Sequence, residues 1–144
     1  GRIRYRMTDR PMFVHACHCS WCQRESGSAF ALNALIETER LQVEGEVQYV
    51  MTPSASGKGQ EIARCPVCHV ALWSHYGSLR RKLAFVRVGT LGNPSACPPD
   101  VHIFTSTKLP WVLLPDGAPA FADYYSTSQL WPPASLARRE ALKD

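Results

Sequence analysis

Residues 17–22 read Cys17-His18-Cys19-Ser20-Trp21-Cys22, and residues 65–69 read Cys65-Pro66-Val67-Cys68-His69. Five of the six cysteines fall in these two stretches, and the sixth, Cys97, stands beside Pro98 and Pro99. In a chain with no sign of secretion, tight Cys-x-x-Cys pairs read first as metal ligands. Cys17 and Cys19 are two residues apart, so an extended backbone carries both sulfurs to one face. Cys22 follows in a short helix that Ser20 is expected to cap, running through Glu25 and stopped by Gly27. Three thiolates can then converge on one ion, and a thiolate-rich set favours zinc at about 2.3 Å per bond. In the second stretch the proline fixes a turn whose N–H groups can point at the Cys65 sulfur.

Spacing leaves two arrangements open. Cys19, Cys22, Cys65 and Cys68 can close one four-cysteine structural zinc, which leaves Cys17 unused. Alternatively Cys17, Cys19 and Cys22 hold their own zinc with a fourth position open, the pattern of catalytic zinc. Cys65 and Cys68 then need two more ligands, with Cys97, His69 or His75 as candidates. A dithiol–disulfide redox pair is a third reading, disfavoured by the extra cysteine and the strand-rich surroundings.

The rest of the chain is punctuated into short strands. Ile3, Tyr5 and Met7 alternate with arginines, the period of a half-buried strand. A Thr-Asp-Arg-Pro turn leads to a second run, Met12–Ala16, which predicts a hairpin of the two. Further strands are expected at 30–36, 41–43, 47–51, 62–64, 71–76, 83–91 and 101–104. Residues 53–60 read as a loop and Asp116-Gly117 as a tight turn. A helix is expected from Ser135 to Leu142. We expect a single zinc-binding β domain over residues 1–131 and a tail, 132–144, that turns helical.

Composition sets outer limits. The 144 residues are 45% hydrophobic and 19% charged, the balance of a folded domain with a real core. No apolar run approaches the roughly 20 residues that cross a bilayer. The opening Gly1-Arg2-Ile3-Arg4 has no apolar stretch behind its charges, so a cytoplasmic location is expected. The net charge of +4 is scattered apart from Arg80-Arg81-Lys82 and Arg138-Arg139, so a nucleic-acid partner is not expected.

The segment Cys17-His18-Cys19-Ser20-Trp21-Cys22-Gln23-Arg24, with Ser26-Gly27-Ser28 behind it, resembles the signature of the glutathione-dependent formaldehyde-activating enzyme family, which includes the centromere protein V relatives. Arg64-Cys65-Pro66-Val67-Cys68, Val88-Gly89-Thr90-Leu91, His102-Ile103-Phe104, Lys108-Leu109-Pro110-Trp111 and Asp116-Gly117 match later parts of the family pattern. The resemblance implies a mainly β, β-tent zinc-binding fold of short antiparallel sheets with a short C-terminal helix, and one or two Zn²⁺ per chain. It implies a reaction-site zinc on Cys17, Cys19 and Cys22. It also implies a structural zinc on Cys65 and Cys68 together with an earlier Cys-x-Cys, which is expected to lie ahead of Gly1.

The implied activity is that of a zinc-dependent carbon–sulfur lyase-like enzyme binding a small thiol, glutathione or similar, or its aldehyde adduct. The alternative is a non-catalytic zinc-binding interaction module. Secondary candidates are weaker. His18 is expected on the opposite strand face from the sulfurs, and His15 in the core or surface. His102 matches a family position and is a minor candidate for lining the pocket. Arg24 could meet a substrate carboxylate. Trp21, Trp73 and Trp111 read as core or wall, and Cys97 as a buried or free thiol.

Overall fold

The protein is described by a computed structural model over residues 1–143; the last residue of the expected tail, Asp144, lies outside the described residues. It is mainly β. Among the described residues nine strands run β1 (Arg4–Met7), β2 (Phe13–Cys17), β3 (Ala31–Glu37), β4 (Leu41–Glu44), β5 (Gln48–Thr52), β6 (Gln60–Arg64), β7 (Ala71–His75), β8 (Leu83–Arg87) and β9 (Val101–Ile103). Helix α1 (Ser20–Ser26) follows β2, and α2 (Thr127–Leu130) and α3 (Pro133–Glu140) lie near the C-terminus. β1 pairs with β4 in a small sheet, and the others form a seven-stranded sheet in the order β5-β6-β7-β8-β3-β2-β9. All neighbours are antiparallel except β2 and β9, so the expectation of purely antiparallel sheets holds for all pairs but one.

The expected hairpin of the first two strands does not form. β1 pairs with β4 from Arg4↔Glu44 to Met7↔Leu41, while β2 lies between β3 and β9. Burial explains the divorce. β1 alternates exposed and half-buried residues, which suits a strand with one wet face. All five residues of β2 are buried, which demands a neighbour on each side and cover on both faces. Gly45 lets β4 pass close to the N-terminus: its φ is +96°, and a Cβ there would sit 2.9 Å from the Arg2 carbonyl. The strand expected over 83–91 stops at Arg87, where Val88–Thr90 coils into a 3₁₀ turn closed by Thr90 Oγ1 donating to the Arg87 carbonyl at 2.8 Å.

The main sheet is covered on both faces. One face presents Val14, Ala34, Ile36, Trp73, Ala84 and Val86, against which Tyr5, Met7 and Leu41 of the small sheet pack. Tyr5 meets the Trp73 ring edge-on at 5.6 Å. The other face presents Phe13, Cys17, Leu35, Leu83 and Ile103, and the C-terminal segment lies over it through Tyr125, Leu130, Trp131 and Leu136. The helix expected at 135–142 is present two residues earlier, as α3. Ser135 Oγ donates to the Met12 carbonyl at 2.7 Å. Arg138 grips Glu37 with two hydrogen bonds, Nε to Oε1 at 2.7 Å and Nη2 to Oε2 at 2.6 Å. Among the described residues no helix is long and apolar enough to cross a membrane.

Candidate metal centre

Cys17 is the last residue of β2, fixed between Ala31 of β3 and Ile103 of β9. The chain keeps this pairing one residue further, His18 N–H donating to the Ile103 carbonyl at 3.0 Å, and then turns into α1. Three hydrogen bonds pin the corner. Gln23 Nε2 donates to the His18 and Thr107 carbonyls, both at 2.9 Å, and Thr107 Oγ1 donates to the His18 carbonyl at 2.9 Å. The helix cap is Cys19 rather than Ser20: its sulfur accepts the Cys22 N–H at 3.3 Å, the task a serine or aspartate oxygen performs elsewhere. Gly27 closes the helix in the left-handed region at φ 64°, as the sequence predicts.

The corner brings three sulfurs together. Those of Cys17, Cys19 and Cys22 lie within 4.8 Å of one another, and among the described residues this is the one group of three or more Cys, His, Asp or Glu side chains so placed. Their protonation is shared. Thiol hydrogen bonds from Cys17 and Cys22, with the Cys22 and Trp21 N–H groups, pull Cys19 down to about 2. Cys17 is pushed up to about 12, first because its thiol donates to Cys19 and then by burial. Cys22 is pushed up by both neighbouring cysteines. Alone, therefore, the cluster carries one negative charge, centred on Cys19. A dication would displace the other two protons, and three soft sulfurs at this spacing suit zinc.

Aromatic rings stand over the same face. Tyr124 stacks on Tyr125 at 4.4 Å and 18°, and meets the His15 ring edge-on at 5.8 Å. Burial pushes the Tyr124 hydroxyl up, and Cys17 adds a smaller push in the same direction. Beneath it runs a buried relay: Trp131 Nε1–H donates to Tyr125 Oη at 2.7 Å, and the Tyr125 hydroxyl donates to His15 Nε2. Burial holds His15 down to about 4, so at neutral pH its ring is uncharged and able to accept. Tyr125→Phe strands both buried partners, and we expect it to cost about 1–3 kcal/mol. A denaturant melt of the variant checks this; an unchanged midpoint means the relay contributes nothing.

A family model for the glutathione-dependent formaldehyde-activating enzymes matches residues 1–107. The chain belongs to that family. No curated protein matches it. Among solved structures it is similar to a crystal structure of a Rhodobacter sphaeroides protein, with 17% identity, 62% of this chain and 78% of that chain covered, and a TM-score of 0.44. The family match takes in all six cysteines and leaves Tyr124, Tyr125 and Trp131 outside it.

The other sequence candidates sort cleanly within this family frame. The turn at Cys65 is as expected: the N–H groups of Cys68 and Val67, and then the Cys68 side chain, hold the Cys65 thiol below its usual range. His69 N–H donates to the Cys65 carbonyl at 2.9 Å. Among the described residues no third ligand joins Cys65 and Cys68, and neither joins Cys19 and Cys22. Cys97 is buried in the core facing the small sheet. His75 is buried and donates from Nδ1 to the Leu83 carbonyl at 2.8 Å. His18 is fully buried against Phe30 and, 3.0 Å away, His102, and neither histidine belongs to the sulfur group. Arg24 lies over the Trp21 ring, and Trp111 is 71% exposed. Glu25 of α1 is ion-paired with Arg64, which also donates to the His69 carbonyl at 3.1 Å, so one arginine ties the two cysteine segments together.

Tyr124 and Tyr125 escaped the sequence reading. The tyrosines lie in a segment without periodicity, and only the fold brings them to Cys17.

Proposed function

We propose that the chain is a zinc-dependent enzyme of carbon–sulfur chemistry, which holds Zn²⁺ on Cys17, Cys19 and Cys22 and adds a small thiol, glutathione or similar, to an aldehyde such as formaldehyde. One observation carries the reading: three convergent sulfurs with no fourth Cys, His, Asp or Glu completing the group among the described residues. Three protein ligands and a free position are what a metal centre needs to admit a ligand. A bound zinc supplies thiolate stabilisation at neutral pH. Three thiolates already leave the dication with a formal charge of −1, which suits holding a thiol better than activating water.

The addition balances without an oxidant. A sulfur lone pair forms the new C–S bond, the carbonyl π bond breaks, and its oxygen takes the proton that the thiol gives up. The product is an S-hydroxymethyl thioether. The chain's own residues frame this step. The cysteines fix where a sulfur can sit, and the Tyr124–Tyr125 stack walls one side. His15 is occupied by the Tyr125 hydroxyl and stays neutral, so it is wall rather than base.

The interaction-module alternative gains little support from the basic run. Arg81 is taken by Glu61 at 2.7 and 3.0 Å and stacks over Tyr49, and Lys82 donates to the Leu142 carbonyl. All six cysteines are free thiols, which suits a reducing compartment such as the cytoplasm. The test is calorimetric titration of glutathione into zinc-loaded protein, beside Cys17→Ser. Saturable binding of about one thiol per chain, lost in the variant, is expected. Zinc-loaded protein that takes up neither glutathione nor 2-mercaptoethanol sinks the reading.

A further inference from the structure

An open groove of about 650 Å³ lies between α1 and the turn that follows Thr107. Ser20, Gln23 and Arg24 of the helix, with Ser28 behind it, form one side, and Leu109 and Trp111 form the other. The three helix residues are spaced i, i+3 and i+4, so they share one face. Both sides are fixed to the sulfur corner. Gln23 Nε2 bridges the His18 and Thr107 carbonyls, each at 2.9 Å. The turn itself is braced. Val112 N–H donates to the Leu109 carbonyl at 3.1 Å, and the Lys108 ammonium donates to the Leu109 and Val112 carbonyls at 3.2 and 2.7 Å.

The fold leaves the polar groups of this groove unused. Among the described residues the Ser20 and Ser28 hydroxyls and the Trp111 indole N–H make no hydrogen bond to the chain. Arg24 pairs with no carboxylate there, since its neighbour Glu25 is held by Arg64. Its guanidinium lies over the Trp21 ring, 5.5 Å from the centroid. It is also the one charged residue in the lining, so the groove carries a single positive charge. That charge selects an anion, and a planar guanidinium fork matches a carboxylate. Trp111, 71% exposed on its braced turn, offers a flat wall that needs no further ordering.

The groove starts close to the sulfurs. Ser20 stands between Cys19 and Cys22 in the chain, one Cα step of about 3.8 Å from Cys19. An extended tripeptide spans about 10 Å, close to the width of a helix with its side chains, so one molecule can bridge the two sides of α1. We propose that this groove holds the carboxylate-bearing part of an acidic peptide thiol. A carboxylate sits on Arg24 and the peptide stem lies against Trp111, while the sulfur enters the three-cysteine corner. The inference rests on the thiol-binding reading above and adds to it what selects the thiol.

The test compares three ligands by calorimetry on zinc-loaded wild type, Arg24→Gln and Trp111→Ala. Glutathione has both thiol and carboxylates, 2-mercaptoethanol has only the thiol, and S-methylglutathione keeps the carboxylates but yields no thiolate. Both substituted side chains are exposed, and a thermal melt checks that each variant is folded. Arg24→Gln is expected to lose roughly 10-fold in affinity for glutathione and S-methylglutathione, the low end for a hydrogen bond to a charged group. Trp111→Ala should lose roughly 3–10-fold for the same two ligands. Affinity for 2-mercaptoethanol should stay within about twofold in both variants, because that thiol does not reach the groove. Wild-type glutathione affinity in Arg24→Gln overturns the proposal. So does an equal loss for 2-mercaptoethanol, which would place the effect at the metal. A wild type that takes up neither thiol defeats the functional reading instead. S-methylglutathione then decides the groove: binding that needs Arg24 upholds a carboxylate site, and no binding overturns it.

Discussion

Cys17→Ser is expected to lose one zinc per chain and the rise in melting temperature that zinc gives the parent. Cys17 is 6% exposed at the end of a strand hydrogen-bonded on both sides, so no neighbour can swing in to replace its sulfur. Serine offers a hard oxygen that stays protonated at neutral pH. Removing a ligand outright should exceed the roughly 10–100-fold that loss of an outer partner costs. Elemental analysis and chelator competition read the result. Cys97→Ser, in the core on the other side of the sheet, is the matched control and should keep its metal. A Cys17→Ser protein with wild-type zinc content and affinity would mean that another ligand set holds the ion.

The largest purely structural effect should come from Arg138→Ala. The Glu37 side chain is 4% exposed and receives two hydrogen bonds from Arg138, with Arg40 of its own turn further off at 3.7 Å. Burial alone would push the Glu37 carboxyl up, but Arg138, the Glu37 N–H and Arg40 together more than offset it and the carboxyl stays below its usual range. Taking Arg138 away leaves a buried charge half-compensated, at about 3–5 kcal/mol. For a chain of this size that is a fall of very roughly 6–20 °C in Tm. Glu37→Gln should cost less, because Arg138 is 21% exposed and can turn to water. Equal losses in the two variants would show that α3 is held by its apolar side instead.

Local signals carried the sequence reading far where the physics is local. Cysteine spacing located the three-sulfur corner because six residues suffice to build it. The Gly27 stop and the knuckle N–H groups at Cys65 are likewise properties of a single turn. Pairing partners were another matter. A turn before Met12 suggested a hairpin, yet β2's five buried residues require two neighbours, and one of them, β9, comes from more than 80 residues away. The Cys19 cap was misassigned to Ser20 since a sulfur is seldom weighed as a capping acceptor. Tyr124 reaches the face that carries Cys17 only after the sheet and the C-terminal segment are assembled.

The cysteines and the rings above them come from different stretches of chain. The sulfur cluster lies within the 107 residues that match the family, while Tyr124, Tyr125 and Trp131 come after them. The lining is joined to the centre by stacking and the His15 relay, with none of the residues that position the sulfurs borrowed from it. The rings of the C-terminal segment can therefore vary without changing any residue that positions the corner at Cys17 to Cys22. The sulfur corner and the rings above it are separately heritable.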